Sequence, residues 1–346
     1  MNIRVAIVGP TGYTGLHLIE LLLRHPNAAV TYLASRRQTP VNVVQEFAQL
    51  RGRLPDDVAV CRAIDVRAIA GESDVVFTCL PHVVAMQVVP TLLDAGLRVV
   101  DLSADYRFSD ARVYEQTYHH EHSDLQNLSC AAYGLPELFR EALSGAQLVA
   151  NPGCYPTATA LGVAPLVRSG MVRAKGMIVN AASGVTGAGR KAQLGRQFAE
   201  HNESFYAYGV IGGHRHQPEI VQVLSRVADQ EVDVLFVPHL LPIDRGILAT
   251  VYLDPVDDGI TQEAVFEAFE AAYEDEPFVR VCDDPPNVKH VQGTNYCDIS
   301  ARVVVTGSGR KVVVFSTIDN MIKGASGQAV QNMNLMFDQD ETSGLV

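Results

Sequence analysis

The sequence predicts an α/β protein with two domains, one built on a parallel sheet and one on a mixed, largely antiparallel sheet. From residue 3 to about residue 150, strand-like and helix-like segments alternate, which is the pattern of right-handed βαβ units. After that point strand-like segments follow one another with fewer helices, as in VVTGSGRKVVV (304–314). The chain has 346 residues. Two cores are expected because a single core stops growing near about 250–300 residues.

The first domain is predicted from short runs of β-branched residues separated by helical periodicity. IRVAIV (3–8) is the first strand, and residues 13–25 carry apolar side chains at helical spacing. Further elements of this domain are expected as strands at 29–35, 74–80 and 98–103 and a helix at 83–95.

The second domain is predicted to begin at the Pro-Gly turn of LVANPG (148–153). We expect strands at 176–183, 232–240, 247–253, 297–305 and 311–319, and helices at 156–168, 217–227 and 262–273. A last helix at 324–337 follows a strand and is expected to return to the first domain. The predicted domains are therefore residues 1–150 with 319–346, and residues 151–318.

Composition excludes several classes of protein. The net charge is −12 and the isoelectric point is near 5.3, which argues against nucleic acid or an anionic membrane surface as a main partner. No window has the ~18 uninterrupted apolar residues of a membrane span, and the N-terminus lacks a signal-peptide pattern. The six scattered cysteines form no CxxC pair, and HHEH (119–122) matches no standard metal site. A cytoplasmic protein with reduced thiols and no metal is expected.

A glycine-rich turn follows the first strand and opens a helix. Its pattern is G-x-x-G-x-x-G, and glycines at these positions let the backbone approach a pyrophosphate that the helix N-terminus then holds. The context of strand and helix favours a Rossmann-type dinucleotide site over a tight turn with no ligand. The predicted cofactor-binding residues of this turn are Gly9, Thr11, Gly12, Tyr13, Thr14 and Gly15.

The end of the second strand indicates which dinucleotide binds. NAD sites usually place an acidic residue there for the ribose 2′-hydroxyl, but this chain has Ala34-Ser35-Arg36-Arg37. A hydroxyl and guanidinium groups suit a 2′-phosphate. The sequence therefore favours NADP(H), with Ser35 and Arg36 as its contacts, over a solvated basic turn.

A cysteine stands at the predicted start of a helix in NPGCYPTATA (151–160). A helix N-terminus and a nearby histidine both favour the thiolate, which is the reactive form of cysteine. GGHRHQPEI (212–220) supplies His214 and His216, and a histidine can act as general acid and base with a pKa near working pH. The residues alone leave two interpretations of Cys154 open, a nucleophile or a buried packing residue.

The order of motifs along the whole chain resembles a known family, the N-acetyl-γ-glutamyl-phosphate reductases, within the wider class of semialdehyde and glyceraldehyde-phosphate dehydrogenases. The motifs that carry the resemblance are GPTGYTG (9–15), LPH (80–82), DLSADYRF (101–108), YGLPE (133–137), NPGCYPTA (151–158), SGVTGAGRK (183–191), GGHRHQPEI (212–220), FVPHLLPIDRGIL (236–248) and DNMIKGASGQAVQNMN (319–334).

The resemblance implies NADPH-dependent reduction of N-acetyl-L-glutamyl 5-phosphate through a thioester. It implies that Cys154 is the nucleophile and that His214 is the acid–base residue. His216 and Arg215 stay open, because either could orient substrate or cap the following helix. Ser183, Gly184 and Asn320 lie in matched motifs and are placed near the cofactor. Cationic candidates for the phosphate and carboxylate of the substrate are Arg107, Arg190, Arg215 and Arg245.

Three alternatives stay open at this point. The same cysteine chemistry serves aspartyl phosphate or a LysW-carried aminoadipyl phosphate, although GCYPTA and HRHQPEI favour the first family. A noncatalytic NADP(H)-binding redox sensor would need the glycine turn and a reactive thiol but no acid–base histidine. The large β-rich second domain favours a homodimer or homotetramer.

Overall fold

The chain forms two compact units, and the computed structural model describes residues 2–37, 39–209 and 213–346. The first unit comprises Met1–Pro152 with Ala325–Val346, and the second comprises Gly153–Gly324. Within the described residues no helix has the length and apolar composition that crossing a bilayer requires.

The elements of the described chain are numbered in chain order. The strands are β1 (Ile3–Val8), β2 (Ala28–Ala34), β3 (Val41–Asn42), β4 (Val60–Cys61), β5 (Val75–Thr78), β6 (Arg98–Asp101), β7 (Ala132–Tyr133), β8 (Leu148–Ala150), β9 (Met177–Gly184), β10 (Tyr206–Ala207), β11 (Val234–Leu241), β12 (Ile247–Leu253), β13 (Val279–Val281), β14 (Cys297–Thr306) and β15 (Gly309–Ile318). The α-helices are α1 (Tyr13–Leu22), α2 (Val43–Glu46), α3 (Val66–Glu72), α4 (Ala85–Asp94), α5 (Ala111–Tyr118), α6 (Leu125–Cys130), α7 (Pro136–Phe139), α8 (Cys154–Arg168), α9 (Phe198–His201), α10 (His216–Ala228), α11 (Gln262–Tyr273), α12 (Val288–Val291) and α13 (Gly327–Met336).

The first unit is built on a six-stranded sheet with the order β2-β1-β5-β6-β8-β7, and every pairing is parallel. From Val5 to Val8 the first strand is fully buried, as expected for a parallel strand that is covered on both faces. The chain places β2 on one side of β1 and β5 on the other. The order of the sheet therefore reverses between β1 and β5, and the prediction of a Rossmann-type first domain is confirmed.

The second unit is built on a seven-stranded mixed sheet with the order β10-β11-β9-β12-β15-β14-β13. The β9–β11 and β13–β14 pairs are parallel and the other four are antiparallel, which confirms the predicted mixed, largely antiparallel sheet. Helix α8 packs on the strands at the centre of the sheet, with α10 and α11 beside it. Side chains alternate along the strands, so Val179 is fully buried while Ile178 is 40% exposed.

Helix boundaries differ from the sequence prediction where local geometry intervenes. Helix α8 begins at Cys154 rather than at residue 156, because Pro156 is tolerated in a first turn where its missing N–H has no helical partner. Helix α4 begins at Ala85 rather than at residue 83, because Val83 has φ +72°, outside the helical region. The last predicted helix divides into a π-helical turn, Ile322–Ser326, and α13.

The shortest strands could not be predicted from hydrophobic periodicity. Strands β3 and β4, which pair with each other, and the edge strands β10 and β13 have only two or three residues each, too few to show alternation. Helix α13 is buried although it carries several amides, because those amides bond within the first unit. The side-chain amide of Asn332, for example, donates to the Gly134 carbonyl and to Asn151, each at 3.0 Å.

The glycine turn after β1 makes a prediction about stability. A Cβ at position 15 would lie 2.5 Å from the Cα and the carbonyl oxygen of Pro10, so Gly15→Ala should lower the free energy of unfolding by about 1–3 kcal/mol through overpacking. Gly12→Ala is the matched control, since no atom lies within 4 Å of its Cβ position and only a capping cost below about 1 kcal/mol is expected. Denaturant unfolding of both variants measures the difference, and equal losses would contradict this account.

Candidate active site

The glycine turn of the first unit leaves the start of helix α1 accessible. Gly12 is the N-cap residue and no side chain caps the helix. Gly9 has φ +85°, and a Cβ there would lie 2.6 Å from the Cys79 carbonyl oxygen, so only glycine fits. Unbonded N–H groups at a helix start suit a pyrophosphate, and this turn therefore fits the anionic part of a dinucleotide. The turn residues Thr11, Gly12, Tyr13 and Thr14 are all partly exposed.

The end of β2 presents the residues that were predicted to select the cofactor. Ser35 is partly exposed and its hydroxyl accepts the Arg37 N–H at 3.2 Å. Arg37 pairs with Glu46 at 3.3 Å, whereas Arg36 is exposed and has no ion-pair partner among the described residues. A hydroxyl beside an unpaired guanidinium fits a 2′-phosphate.

Cys154 lines a cavity of about 510 Å³ in the second unit. It is the first residue of α8, where the N–H dipoles favour a negative charge. The buried Glu219 carboxylate accepts the Gly153 N–H at 2.9 Å and so fixes the entry to this helix. A Cβ on Gly324 would lie 2.7 Å from Cys154 Cβ, so the glycine lets the chain pass against the cysteine. Other residues that line the cavity include Tyr155, Ser183, Gly184, Arg196, Tyr208, His214, Arg215 and His216.

His214 is held in one tautomer. Its Nδ1 accepts the backbone N–H of His216 at 3.1 Å, so in the neutral ring the proton is on Nε2. The rings of Tyr155, Tyr208 and Phe236 pack edge-on around it, with centroids 5.4–5.8 Å away. Burial, and then the positive charge of Arg215, lower the pKa of His214 to about 4. The pKa of His214 therefore does not lie near working pH, where the sequence predicted it. At neutral pH the ring is neutral and donates from Nε2.

Two tyrosines in the same cavity were not predicted as site residues. The hydroxyl oxygens of Tyr155 and Tyr208 lie 2.9 Å apart. Burial raises the pKa of both phenols, that of Tyr208 to about 12, so both stay protonated and can donate hydrogen bonds. Tyr155 follows the cysteine directly and could have been suspected on that ground. Tyr208 carries no sequence signal, because β10 and the turn after it bring it into the cavity.

The predicted cationic residues fall into two groups. Arg215 lines the cavity, and so does Arg196, which the sequence analysis missed and whose guanidinium donates to the Ala188 carbonyl at 2.9 Å. The other candidates do not line this cavity in the described residues. Arg107, in the first unit, donates to the carbonyls of Asn151 at 2.7 Å and Leu102 at 3.1 Å, Arg245 pairs with the buried Asp319 at 3.4 Å, and Arg190 is exposed.

The glycine-rich segment after β9 is fixed by close backbone contacts. A Cβ on Gly184 would lie 2.6 Å from the backbone nitrogen of Arg245, so this position needs glycine. Asn320 links the segment after β9 to the segment before β12. Its side-chain amide donates to the Thr186 hydroxyl at 3.1 Å and accepts the Gly246 N–H at 2.7 Å. Ser183 and Gly184 line the cavity, whereas Asn320 braces the segment behind it. Gly212, the first residue of the predicted histidine motif, lies outside the described residues.

Comparison with known proteins places the chain in a family. The model of the "Semialdehyde dehydrogenase, NAD binding domain" matches residues 4–146, and that of the "Semialdehyde dehydrogenase, dimerisation domain" matches residues 154–320. N-acetyl-gamma-glutamyl-phosphate reductases of Desulfotalea psychrophila and Geobacter sulfurreducens are 47% and 48% identical to this chain, over 99% of it and 98% of each relative. The chain belongs to the N-acetyl-gamma-glutamyl-phosphate reductase family. The resemblance stated from the motifs is thereby confirmed.

Solved structures agree with the fold. Aspartate semialdehyde dehydrogenase II of Vibrio cholerae, complexed with ASA, has a TM-score of 0.71 at 16% identity, covering 98% of this chain and 99% of that one. The aspartate semialdehyde dehydrogenase of Candida albicans, solved with NADP, has a TM-score of 0.70 at 16% identity, covering 97% and 98%. At this identity the likeness establishes the fold alone.

The electrostatics of His214 make a second prediction. Arg215→Ala removes the smaller of the two causes that lower the pKa of His214, so the pKa should rise but stay below 6.5 because burial remains. Titration of the His214 ring by NMR measures this shift.

In the unchanged protein the ring should stay neutral down to about pH 5, and folding stability should fall as the pH drops from about 6.5 through 4. A ring that titrates near 6.5 in both proteins would contradict the assignment.

Proposed function

We propose that this chain catalyses NADPH-dependent reduction of N-acetyl-L-glutamyl 5-phosphate to N-acetyl-L-glutamate 5-semialdehyde and phosphate. The observation that carries the proposal is the cavity of the second unit, where Cys154 at a helix start shares one space with His214 and two guanidinium groups. Membership of the family over nearly the whole chain supports the choice of substrate.

Cys154 acts as the nucleophile. The sulfur of its thiolate forms a bond to the acyl carbon, and the bond from that carbon to the phosphate oxygen breaks. Phosphate leaves with the electron pair and takes up the one proton that the overall reaction consumes. The N-terminus of α8 stabilises the negative sulfur before attack, and the product on the enzyme is a thioester.

His214 acts on the oxygen of the acyl group. NADPH, when bound, supplies the hydride that reduces the thioester to the level of a thiohemiacetal. The Nε2–H of His214 donates a hydrogen bond to the acyl oxygen as negative charge develops there, and a fixed donor in a buried site stabilises such charge strongly. The carbon–sulfur bond then breaks, its electron pair returns to Cys154, and the aldehyde is released.

The first unit is proposed to hold NADP(H), as the dinucleotide-binding domain. The residues that fit the pyrophosphate are those of the glycine turn, Gly9 to Gly15, because the start of α1 has no side-chain cap. Ser35 and Arg36 fit the 2′-phosphate and favour NADP(H) over NAD(H). The second unit is proposed as the catalytic and oligomerisation domain.

Arg196 and Arg215 are proposed to bind the two anionic ends of the substrate. Both line the cavity of Cys154, and the phosphate and the carboxylate each need cationic donors. Arg107 and Arg245 are proposed instead as supports, because each guanidinium bonds to acceptors of its own unit. Arg190 stays a candidate on sequence grounds.

A reducing, cytoplasmic location is proposed for the enzyme. All six cysteines lie in the described part of the chain and none of them forms a disulfide. A thiol nucleophile also needs a compartment that keeps it reduced.

The nucleophile is tested in the reverse direction. Wild type should reduce NADP⁺ at alkaline pH with N-acetyl-L-glutamate 5-semialdehyde only when phosphate is present, and Cys154→Ala should lose this activity by about three orders of magnitude or more. The matched control is Cys130→Ala, because Cys130 is exposed and lies in the first unit. Turnover without phosphate, or activity in Cys154→Ala, would contradict the mechanism.

Other outcomes of the same assay separate the alternatives. A well-folded protein that binds NADP⁺ but does not use this aldehyde would be tested with aspartate semialdehyde and the aminoadipyl analogue. Binding of NADP⁺ with no turnover on any of them would favour the redox sensor.

Self-association is proposed through the sheet face of the second unit that its own helices do not cover. Ile178 pairs with Leu235 on one side and Tyr252 on the other, and each of the three is 39–43% exposed. A contiguous apolar patch of this kind is typical of an interface, and a homodimer or homotetramer would bury it. The family model for this unit is described as a dimerisation domain, which supports the same proposal.

Substitution on this face tests the assembly. Tyr252→Asp places a charge within the patch, beside Ile178, and should lower the mass seen by sedimentation to that of one chain at micromolar concentration. Val305→Asp is the matched control, because Val305 is 75% exposed near the end of β14 and should leave the mass unchanged. A wild-type mass equal to one chain would contradict the proposal.

A further inference from the structure

A strained residue lies beyond the carboxyl ends of the strands of the first sheet, where the dinucleotide is proposed to bind. Val83, in the turn between β5 and α4, has φ +72°. A β-branched residue in this left-handed region is a genuine outlier and persists only where its surroundings hold it. The turn therefore has a conformation that its own sequence does not favour.

The buried carboxylate of Asp105 holds this turn. One of its oxygens accepts the Val83 N–H at 2.8 Å, and the other accepts the Met86 N–H at 3.0 Å. The Tyr114 hydroxyl donates to Asp105 at 2.7 Å, and Ser103 Oγ accepts the Asp105 N–H at 3.1 Å. Asp105 has no exposed surface, so its orientation is fixed by these bonds.

The turn that Asp105 holds and the glycine turn both follow the carboxyl ends of neighbouring strands, β5 and β1. Strand β5 is the neighbour of β1 on the side where the sheet order reverses, and ligands of such sheets bind beyond the strand ends at this reversal. The two turns are in contact, because a Cβ on Gly9 would lie 2.6 Å from the Cys79 carbonyl oxygen and 3.3 Å from Leu80. The path of residues 79–86 therefore shapes one wall beside the pyrophosphate site.

Asp105 also makes the two helix starts at this edge unequal. The Asp105 carboxylate bonds the Met86 N–H in the first turn of α4 and the Val83 N–H just before it, whereas the start of α1 has no side-chain cap. A dinucleotide phosphate would be repelled from the first and attracted to the second. The same network orients an exposed ring, since Tyr114 packs on Tyr118 at 4.9 Å and Tyr118 packs on His82 at 5.0 Å.

We propose that Asp105 is a positioning residue for the dinucleotide, which it serves by holding Val83 in the left-handed conformation. The inference rests on the proposed function, because it takes the ligand of this edge to be NADP(H). Asp105 touches neither substrate nor cofactor in this account. It sets the wall formed by residues 79–86 and directs the phosphates to α1.

The test uses a glycine at position 83, which adopts φ +72° without a steric cost. Asp105→Asn keeps one acceptor but turns an N–H toward the second backbone donor, so the turn should relax. The dissociation constant of NADPH, measured by fluorescence, and its KM should rise about tenfold or more, while kcat at saturating NADPH stays within about threefold. Adding Val83→Gly to Asp105→Asn should restore NADPH binding to within about threefold of the Val83→Gly protein, because the strain no longer needs a carboxylate.

Tyr114→Phe is the matched control, because it removes one bond to Asp105 and leaves both backbone bonds in place. Its NADPH affinity should stay close to wild type. If Asp105→Asn alone fails to fold, the NADPH affinities of Val83→Gly and of the double variant still test the inference. Both proteins contain glycine at position 83 and differ only at position 105.

Two results would overturn the inference. One is NADPH affinity in Asp105→Asn equal to that of wild type. The other is an affinity loss that glycine at position 83 does not repair, which would mark Asp105 as a purely structural residue. Failure of the wild-type chain to bind NADPH is a different result, because it would overturn the proposed function and the inference together.

Discussion

The first N–H groups of an α-helix have no partner inside the helix, and both sites proposed for this chain depend on that constraint. In the first unit Gly12 caps α1 without a side chain, which leaves the N–H groups available to an anion. In the second unit Gly153 caps α8, so the first side chain of that helix is the thiol of Cys154. At α8 the Gly153 N–H is already bonded to Glu219, and the helix start offers its dipole to the sulfur of Cys154. In the proposed function, one physical property thereby serves a dinucleotide phosphate in the first unit and the Cys154 thiolate in the second.

The histidine of the second unit shows how packing selects a chemical role. A surface histidine would titrate near 6.5 and could exchange protons in either direction. Here burial and Arg215 lower the pKa of His214 to about 4, and the His216 N–H occupies Nδ1. The ring is thus a neutral donor at neutral pH. Such a donor matches a reaction in which an acyl oxygen gains negative charge after thiolate attack and hydride addition.

The sequence predicted the elements whose residues share a periodicity or a turn signal. Strand β1, the turn from Gly9 to Gly15 and the start of α8 beside Cys154 are local patterns, and each forms within two residues of its expected position. Arg196 and Tyr208 could not be predicted, because the β10 turn and the segment before it bring them to the cavity from positions that carry no motif. The apolar neighbours of Val83 predict a helix that includes it. Val83 lies outside α4 because Asp105, which is distant in sequence, binds its N–H.

Phosphate release in the absence of cofactor tests the covalent role of Cys154. The enzyme would be mixed with N-acetyl-L-glutamyl 5-phosphate in the absence of NADPH, and phosphate would be followed by rapid quench. We expect a fast burst close to one phosphate per chain, with an acyl group on the peptide that contains Cys154 and no burst in Cys154→Ala. A wild-type enzyme that turns over with NADPH but shows neither burst nor acyl-peptide without it would contradict the thioester mechanism.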